Sequence, residues 1–262
     1  MEFSVLSAGT HRLHLPDGLG VFAKVRRDMP ADFFAAEARG LTALATASPL
    51  RVPRIIAIWN HGIALEDLGS GHARAHDWEC AGQGLATMHR SAGERFGFDA
   101  PGWCGDSEQE NVWDGDGLRF FAERRLLPQG QRARDCGRLD ANDSKRLEAL
   151  CTHLHELLLA HAPVLIHGDL WLGNLHACAD GELALIDGGA VHYGWAESDL
   201  AMLTLFGEPP AAFFSAYQAQ AGIDADWRQR APLLNLYHLL NHLNLFGESY
   251  RGAVRSVLAR YA

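Results

Sequence analysis

Between Val164 and Gly189 the chain reads VLIHGDLWLGNLHACADGELALIDGG, and three oxygen-bearing side chains, Asp169, Asn174 and Asp187, sit among apolar runs. A buried carboxylate or amide is costly without a partner, and the stretch contains no lysine or arginine to supply one. Asp180-Gly181, between alternating apolar segments, is a strong signal for a two-residue hairpin turn. Such a turn pairs Ala179 with Glu182 and, counted outward, Asn174 with Asp187. Directly opposed side chains share a face with Cβ atoms about 4.5–5.5 Å apart. Two oxygens so placed can take adjacent positions on Mg²⁺, whose bonds are about 2.0–2.1 Å. The hairpin mouth is therefore expected to hold a hard metal through Asn174 and Asp187, with water and substrate phosphates completing the shell.

Asp169 lies five residues before Asn174, within His167-Gly168-Asp169-x4-Asn174. Protein kinases carry H-R-D-x4-N in their catalytic loop, where the aspartate orients and deprotonates the acceptor hydroxyl and the asparagine binds metal. Gly168 replaces the arginine, and Asp187-Gly188-Gly189 stands where kinases have Asp-Phe-Gly. Each piece alone is common, but the joint pattern points to phosphoryl transfer from a magnesium nucleotide, with Asp169 as the catalytic residue. That chemistry also needs a cation on the phosphates. Lys24 sits in the strand-like GVFAKV, and Glu37 falls on the apolar stripe of the following helix, in phase with Phe33, Phe34 and Leu41. An inward carboxylate needs a partner, and a Lys24–Glu37 pair would set the lysine against the α- and β-phosphates. No Gly-x4-Gly-Lys-Ser/Thr occurs, which argues against a P-loop. The segment Leu6 to Arg12, LSAGTHR, is the candidate strand–turn–strand cover over the phosphates, with Gly9 its one glycine.

These residues need a frame. LHLPDGLGVFAKVRR alternates about Pro16-Asp17-Gly18, a hairpin signal. MPADFFAAEARGLTALATA has the period of an amphipathic helix. RVPRIIAIWNHGIALEDLGSG reads as two short strands ending in a glycine-rich bend. From Asp77 onward helical patterns dominate, over 77–92, roughly 116–128, 140–161, 196–206, 209–221 and 231–260, with the Val164–Gly189 hairpin among them. The expected class is α+β: a small antiparallel-sheet N-lobe over 1–68 covering the nucleotide, and a larger, mostly helical C-lobe over 69–262 carrying the catalytic loop, metal hairpin and acceptor site. The join falls near Leu68–Gly71.

With 262 residues and 48% hydrophobic content, the chain can bury a sizeable core. Its 23 basic against 32 acidic residues give a net charge of −9, which argues against a nucleic-acid partner. The N-terminus lacks the basic flank and unbroken apolar core of a signal peptide, and no run reaches the roughly 20 apolar residues that span a bilayer. Five scattered cysteines without a CxxC pair suit a reduced cytoplasmic protein with free thiols. Fourteen histidines invite a transition-metal reading, but most of them, His153 and His155 included, read as surface or satisfied core residues.

Taken together, HGDLWLGN, LIDGGAVHYGWAESDLAM, GLATMHRSAGERFGFD, NVWDGDGLRFFAERRL and LYHLLNHLNLFGESYR resemble the fructosamine kinase (ketosamine 3-kinase) family over nearly the whole chain. That family shares a protein-kinase-like two-lobe fold with aminoglycoside phosphotransferases and choline kinases. The resemblance implies ATP and Mg²⁺ as cofactors and a small-molecule or protein-bound ketosamine as acceptor, phosphorylated on its 3-hydroxyl in deglycation. It implies a cytoplasmic monomer without membrane or nucleic-acid partners. By position it makes Asp169 catalytic, Asn174 and Asp187 metal ligands, and Lys24 with Glu37 the phosphate-positioning pair. Glu66-Asp67-Leu68 becomes a hinge whose backbone meets adenine, and Trp171 and His242 line the acceptor site. His167 and Asp199 take structural roles beside the loop, Asp199 by accepting backbone hydrogen bonds. Three positions depart from the family pattern: Gly188 where proline is usual, Trp195 where histidine is usual, and Gly117 where tryptophan is usual. LSAGTHR also lacks the cysteine that permits redox-linked dimers in some members. An aminoglycoside-, choline- or other small-alcohol kinase is the alternative enzyme, and a nucleotide-binding pseudokinase the alternative without activity.

Overall fold

The structure, a computed structural model, describes residues 2–7, 9–16, 18–224 and 226–262. Asp17, at the centre of the expected Pro16-Asp17-Gly18 turn, and Ala8 in the expected phosphate cover lie outside the described residues.

The N-terminal part is one antiparallel sheet of β1 (Glu2–Ser7), β2 (Thr10–His14), β3 (Gly20–Val25), β4 (Ile55–Trp59) and β5 (Gly62–Glu66), ordered β1-β2-β3-β5-β4. Period-two alternation along β3 buries Val21 and Ala23 on one face and turns Phe22 and Lys24 to the other. Lys24 is registered against Ile63, and Phe22 against Leu65. Helix α1 (Phe33–Ala47) covers this second face: Phe34 and Leu41 form a small core with Ile63 and Leu65. The same helical phase that buries Phe34 and Leu41 directs Glu37 inward.

The C-terminal part is mostly helical. It comprises α2 (Ala75–Met88), a short hairpin of β6 (Gly102–Cys104) and β7 (Ser107–Gln109), α3 (Gly117–Phe121), a π-helical turn over Ala122–Leu126, α4 (Leu127–Asp135) and α5 (Ala141–Leu157). There follow β8 (Val164–Ile166), β9 (Leu175–Ala177), β10 (Leu183–Leu185), β11 (His192–Gly194), α6 (Ala196–Met202), α7 (Ala211–Ala221), α8 (Trp227–Leu234), α9 (Leu236–Phe246) and α10 (Arg251–Tyr261). Its core is one large cluster centred on leucines such as Leu85, Leu126, Leu150, Leu185 and Leu240. A third, small cluster of Leu68, Cys178 and Ala184 ties the chain leaving β5 to the β9–β10 hairpin. The Leu68 carbonyl accepts a hydrogen bond from Ala179 N at 2.9 Å, and Gly71 N donates to Ala177 O at 3.0 Å.

Three expectations are corrected. The single helix expected over 231–260 is three helices, starting earlier at Trp227 and interrupted at Asn235 and Gly247. Gly247 takes φ +93°, which ends α9, while the Asn235 side chain donates to Ala201 O at 2.8 Å and anchors the first break. The helix expected over 116–128 runs on to Asp135 through the π turn, and the others end up to four residues short of the expected limits. The β6–β7 hairpin and the β8–β11 pair went unanticipated, since strands of three residues carry almost no periodic signal.

The third correction concerns the metal hairpin. Its loop is three residues, not two: Gly181 N donates to Cys178 O at 2.9 Å and Cys178 N to Glu182 O at 2.8 Å. Gly181, at φ +94°, supplies the left-handed residue that follows a type I turn in a three-residue loop. The register pairs Ala177 with Leu183 and Leu175 with Leu185, so Asn174 faces Ile186, whose N donates to Asn174 O at 3.2 Å. A one-residue slip sends a side chain to the opposite face. Asp187, one residue further on, adopts φ 66°, ψ 66°, the one positive φ outside glycine among the described residues. That conformation costs about 1–2 kcal/mol.

Beyond Asp187 the backbone presses on α1. A Cβ on Gly40 would stand 1.8 Å from Gly188 O, and one on Gly188 would stand 2.5 Å from Leu41 N. Two glycines thus let helix and turn meet backbone to backbone, which accounts for Gly188 in place of proline. Gly40→Ala is expected to push α1 off the turn and cost about 1–3 kcal/mol of stability. Urea denaturation checks this, and an unchanged midpoint would contradict the contact.

Candidate active site

Lys24, Glu37, Asp169 and Asp187 all line one cavity of about 260 Å³, together with Gly9, Thr10, Arg26, Phe33 and Trp103. Lys24 Nζ donates to Glu37 Oε1 at 2.7 Å and lies 3.4 Å from Asp187 Oδ1. Burial works against the Lys24 charge, but the two carboxylates outweigh it and hold the ammonium above its ordinary pKa. Asp187 is held below the usual carboxylate range, chiefly by Lys24 against the cost of burial. Burial has the upper hand at Glu37, raised despite the lysine. Gly9 stands at the foot of this cavity, its carbonyl accepting from Val25 N at 2.7 Å.

A second cavity of about 300 Å³ adjoins the first and shares Lys24 and Asp187 with it. Its walls are largely apolar, with Phe22, Pro53, Leu65, Leu68 and Ile186, and Glu66 and Asp67 at its edge. The Glu66 carboxylate is taken up by Arg51 at 3.0 Å and Arg54 at 3.2 Å. The Leu68 carbonyl is already engaged by Ala179, whereas no backbone or side-chain acceptor takes the Leu68 N–H among the described residues.

The catalytic-loop segment hangs from Asp199, the fourth residue of α6. One carboxylate oxygen accepts from His167 N at 2.7 Å and the other from Gly168 N at 2.9 Å, while His89 Nε2 lies 3.2 Å from the first. Burial alone would raise this carboxyl, but its hydrogen-bond partners and His89 keep it below its ordinary value. The His167 ring is fully buried, with Nε2 2.8 Å from Ile186 O, so it ties the loop to the strand that leads into Asp187. Asn174 Nδ2 donates to Asp169 O at 2.8 Å. That bond leaves the Asn174 amide oxygen as its candidate ligand atom, and Asp187 is the candidate carboxylate. An amide and a carboxylate oxygen are the donors a hard cation takes, so the residues fit Mg²⁺.

Among the described residues no lysine or arginine pairs with Asp169. Burial and the Asp187 and Asp199 carboxylates push it up to about 7, near the value a general base needs. Its nearest charged-type neighbour is His238 Nδ1 at 3.7 Å, with the imidazole held neutral by burial, its pKa depressed to about 3.

The fructosamine kinase family model matches residues 11–262. The chain belongs to the fructosamine kinase family. A protein assigned as a ketoamine kinase in Synechocystis is 36% identical over 247 residues, covering 90% of this chain and 81% of that one. The chloroplastic protein-ribulosamine 3-kinase of Arabidopsis thaliana is 32% identical over 263 residues, covering 94% and 77%. A crystal structure from Thermobifida fusca, assigned as a fructosamine-3-kinase, superposes with a TM-score of 0.91 at 34% identity, covering 98% of this chain and 91% of that one. An ADP-bound aminoglycoside phosphotransferase, 13% identical over 98% of this chain and 91% of its own, shares the fold at a TM-score of 0.64.

Within this family member the two expected acceptor residues differ in setting. Trp171 is 42% exposed and follows Asp169 by two residues, with its ring over Gly173. His242 is stacked on Phe206 at 5.1 Å and flanked edge-on by Phe246 and Tyr250. Neither Trp171 nor His242 is among the residues lining the Lys24–Asp169 cavity. The departures Trp195 and Gly117 meet each other: a Cβ on Gly117 would stand 2.7 Å from the Trp195 ring, so the large residue at one position is accommodated by the absent side chain at the other.

Several residues near the site escaped the sequence reading. Arg26 lines the phosphate-side cavity and binds Asp28 and Asp106, the latter from the β6–β7 turn. His89 supports Asp199. His238 precedes His242 by one helical turn, a spacing that was visible, yet only the tertiary fold shows that it meets Asp169. Asp199→Asn would turn an amide NH₂ toward backbone donors. It is expected to cost about 1–3 kcal/mol, read as a lower urea midpoint, and an unchanged midpoint would show that the loop does not hang from this carboxylate.

Proposed function

We propose that this kinase transfers the γ-phosphoryl group of ATP to a sugar hydroxyl, the 3-hydroxyl of a free or protein-bound ketosamine, in the manner named for its ribulosamine and ketoamine kinase relatives. The observation that carries this reading is the pair of adjoining cavities sharing Lys24 and Asp187. The apolar cavity suits adenine, with the Leu68 N–H as donor. The polar one suits the phosphates, under the β1–β2 turn at Gly9. On this reading residues 1–68 and 69–262 are two lobes meeting at Leu68, with the nucleotide between them.

Lys24, held by Glu37, would neutralise charge on the α- and β-phosphates. Asn174 and Asp187 would hold Mg²⁺, which supplies further charge neutralisation there. Asp169 aligns the acceptor hydroxyl and takes its proton onto a carboxylate oxygen as the new O–P bond forms and the bond from γ-phosphorus to the β-phosphate bridge breaks, releasing ADP. The elevated pKa of Asp169 makes it a better proton acceptor than an ordinary carboxylate. Trp171 offers an aromatic face to the sugar, with His242 and its aromatic neighbours as the outer wall. On this reading a single copy of the chain supplies every group named, and the working assembly is a monomer. The described cysteines are all free thiols, which favours the reducing cytoplasm. No described helix is long and apolar enough to cross a membrane.

Two measurements test this. Asp169→Asn is expected to lower phosphoryl transfer at least about a hundredfold, the low end of general-base contributions, while calorimetric ATP binding stays within a few-fold. Near-normal turnover would remove Asp169 from its role. Screening ATP consumption against ribulosamines, fructosamines, aminoglycosides and choline is expected to give the highest kcat/KM with a ketosamine. Preference for a cationic aminoglycoside or choline would overturn the acceptor assignment, and ATP binding without turnover on any acceptor would favour a pseudokinase.

A further inference from the structure

Behind Asp169 lies a second set of metal-type ligands that the phosphoryl-transfer reading leaves unused. Cys104 closes β6, and His238 sits on α9. The Cys104 Sγ is 3.9 Å from His238 Nδ1, which is 3.7 Å from Asp169 Oδ1, and the three ligand atoms lie within 4.8 Å of one another. Tetrahedral zinc with one sulfur, one imidazole nitrogen and one carboxylate oxygen places its ligands about 3.4–3.6 Å apart. The observed separations thus close onto a zinc-sized ion with side-chain adjustments of a few tenths of an ångström for two pairs and somewhat more for sulfur to carboxylate.

We propose that Cys104, His238 and Asp169 form a site for a thiophilic divalent cation of the Zn²⁺ type, distinct from the Asn174–Asp187 pair, and that its occupation switches the kinase off. The donor sets separate the two metals. Amide and carboxylate oxygens favour Mg²⁺, whereas thiolate and imidazole favour zinc. Cys104 and His238 are buried, while Asp169, Trp103 and Gly105 line the open phosphate-side cavity, so an ion enters from the cleft and a water takes its fourth position. Asp187 and Asp199 add negative potential. Arg125, buried behind Cys104 and Tyr237, opposes the ion, and Asn241 holds the Cys104 carbonyl at 3.0 Å. Binding deprotonates the Cys104 thiol, the sulfur pair goes to the metal and the proton to buffer. Inhibition follows because the oxygen of Asp169 that would receive the hydroxyl proton is bound to metal. This last step rests on the proposed role of Asp169; the binding step does not.

The test uses the full chain carrying Cys80→Ser and Cys136→Ser, which removes both exposed thiols, one of them 3.5 Å from His76. Co²⁺ titration is expected to give a thiolate-to-cobalt charge-transfer band with release of one proton, displaced by Zn²⁺. Adding Cys104→Ser is expected to abolish the band, and His238→Gln to weaken cobalt binding by about tenfold or more. With saturating Mg-ATP, Zn²⁺ is expected to inhibit the parent protein and to need about tenfold or more zinc to inhibit the Cys104→Ser protein. Cys104→Ala with an unfolding midpoint serves where serine disturbs folding. A band that survives loss of Cys104, or inhibition equally strong without it, overturns the site. A Cys104-dependent band without inhibition upholds the site and overturns the switch.

Discussion

The ion triad of Lys24, Glu37 and Asp187 is the interaction on which the rest of this site depends. Its members come from β3, α1 and the end of the β9–β10 hairpin, so the triad joins the N-terminal sheet, its covering helix and the Asp187 turn at one ammonium group. Removing one partner from a buried pair leaves an uncompensated charge, which is far more costly than the pair is stabilising. The backbone follows this demand. Asp187 accepts a left-handed conformation to aim its carboxylate, and Gly40 and Gly188 give up side chains so that α1 can bring Glu37 close. Leu68, Cys178 and Ala184 then pack the chain joining the two parts against the same hairpin.

Three carboxylates crowd the C-terminal side of the cleft, and each is handled differently. Asp187 is neutralised by Lys24, and Asp199 by two backbone N–H groups and His89. Asp169 receives neither device and carries the raised pKa of the set, about 7. Environment alone therefore divides three identical side chains into a lysine-paired carboxylate, a backbone anchor and a candidate base, the pattern expected where titratable groups share a site. His238, neutral and buried beside Asp169, adds no charge to relieve it.

Much of this was legible in the sequence because it is local. The Asp169–Asn174 spacing, the apolar flanks of Asp187 and the helical phase of Glu37 are short-range patterns, and the Lys24–Glu37 contact expected from them is present at 2.7 Å. The hairpin register was not legible, because Ala179-Asp180-Gly181 can close either a two- or a three-residue loop, and Gly181 is left-handed in both. The expected Asn174–Asp187 pairing was therefore off by one, and the left-handed backbone at Asp187 is a property that no side-chain pattern records. The breaks at Asn235 and Gly247 were masked by continuous helical periodicity on both sides. The meeting of His238 with Cys104 and Asp169 spans distant parts of the chain and has no local signature.

The account stands most directly on the affinity of Glu37→Gln for Mg-ATP, measured by calorimetry beside its unfolding midpoint. The substitution keeps the side chain's shape and removes the charge that shares Lys24 with Asp187. Lys24 should then collapse onto Asp187, costing about 1.4 kcal/mol or more, a tenfold or greater weakening of Mg-ATP binding in a protein that still folds. A folded Glu37→Gln protein that binds Mg-ATP as tightly as the parent would show that the triad does not organise the site.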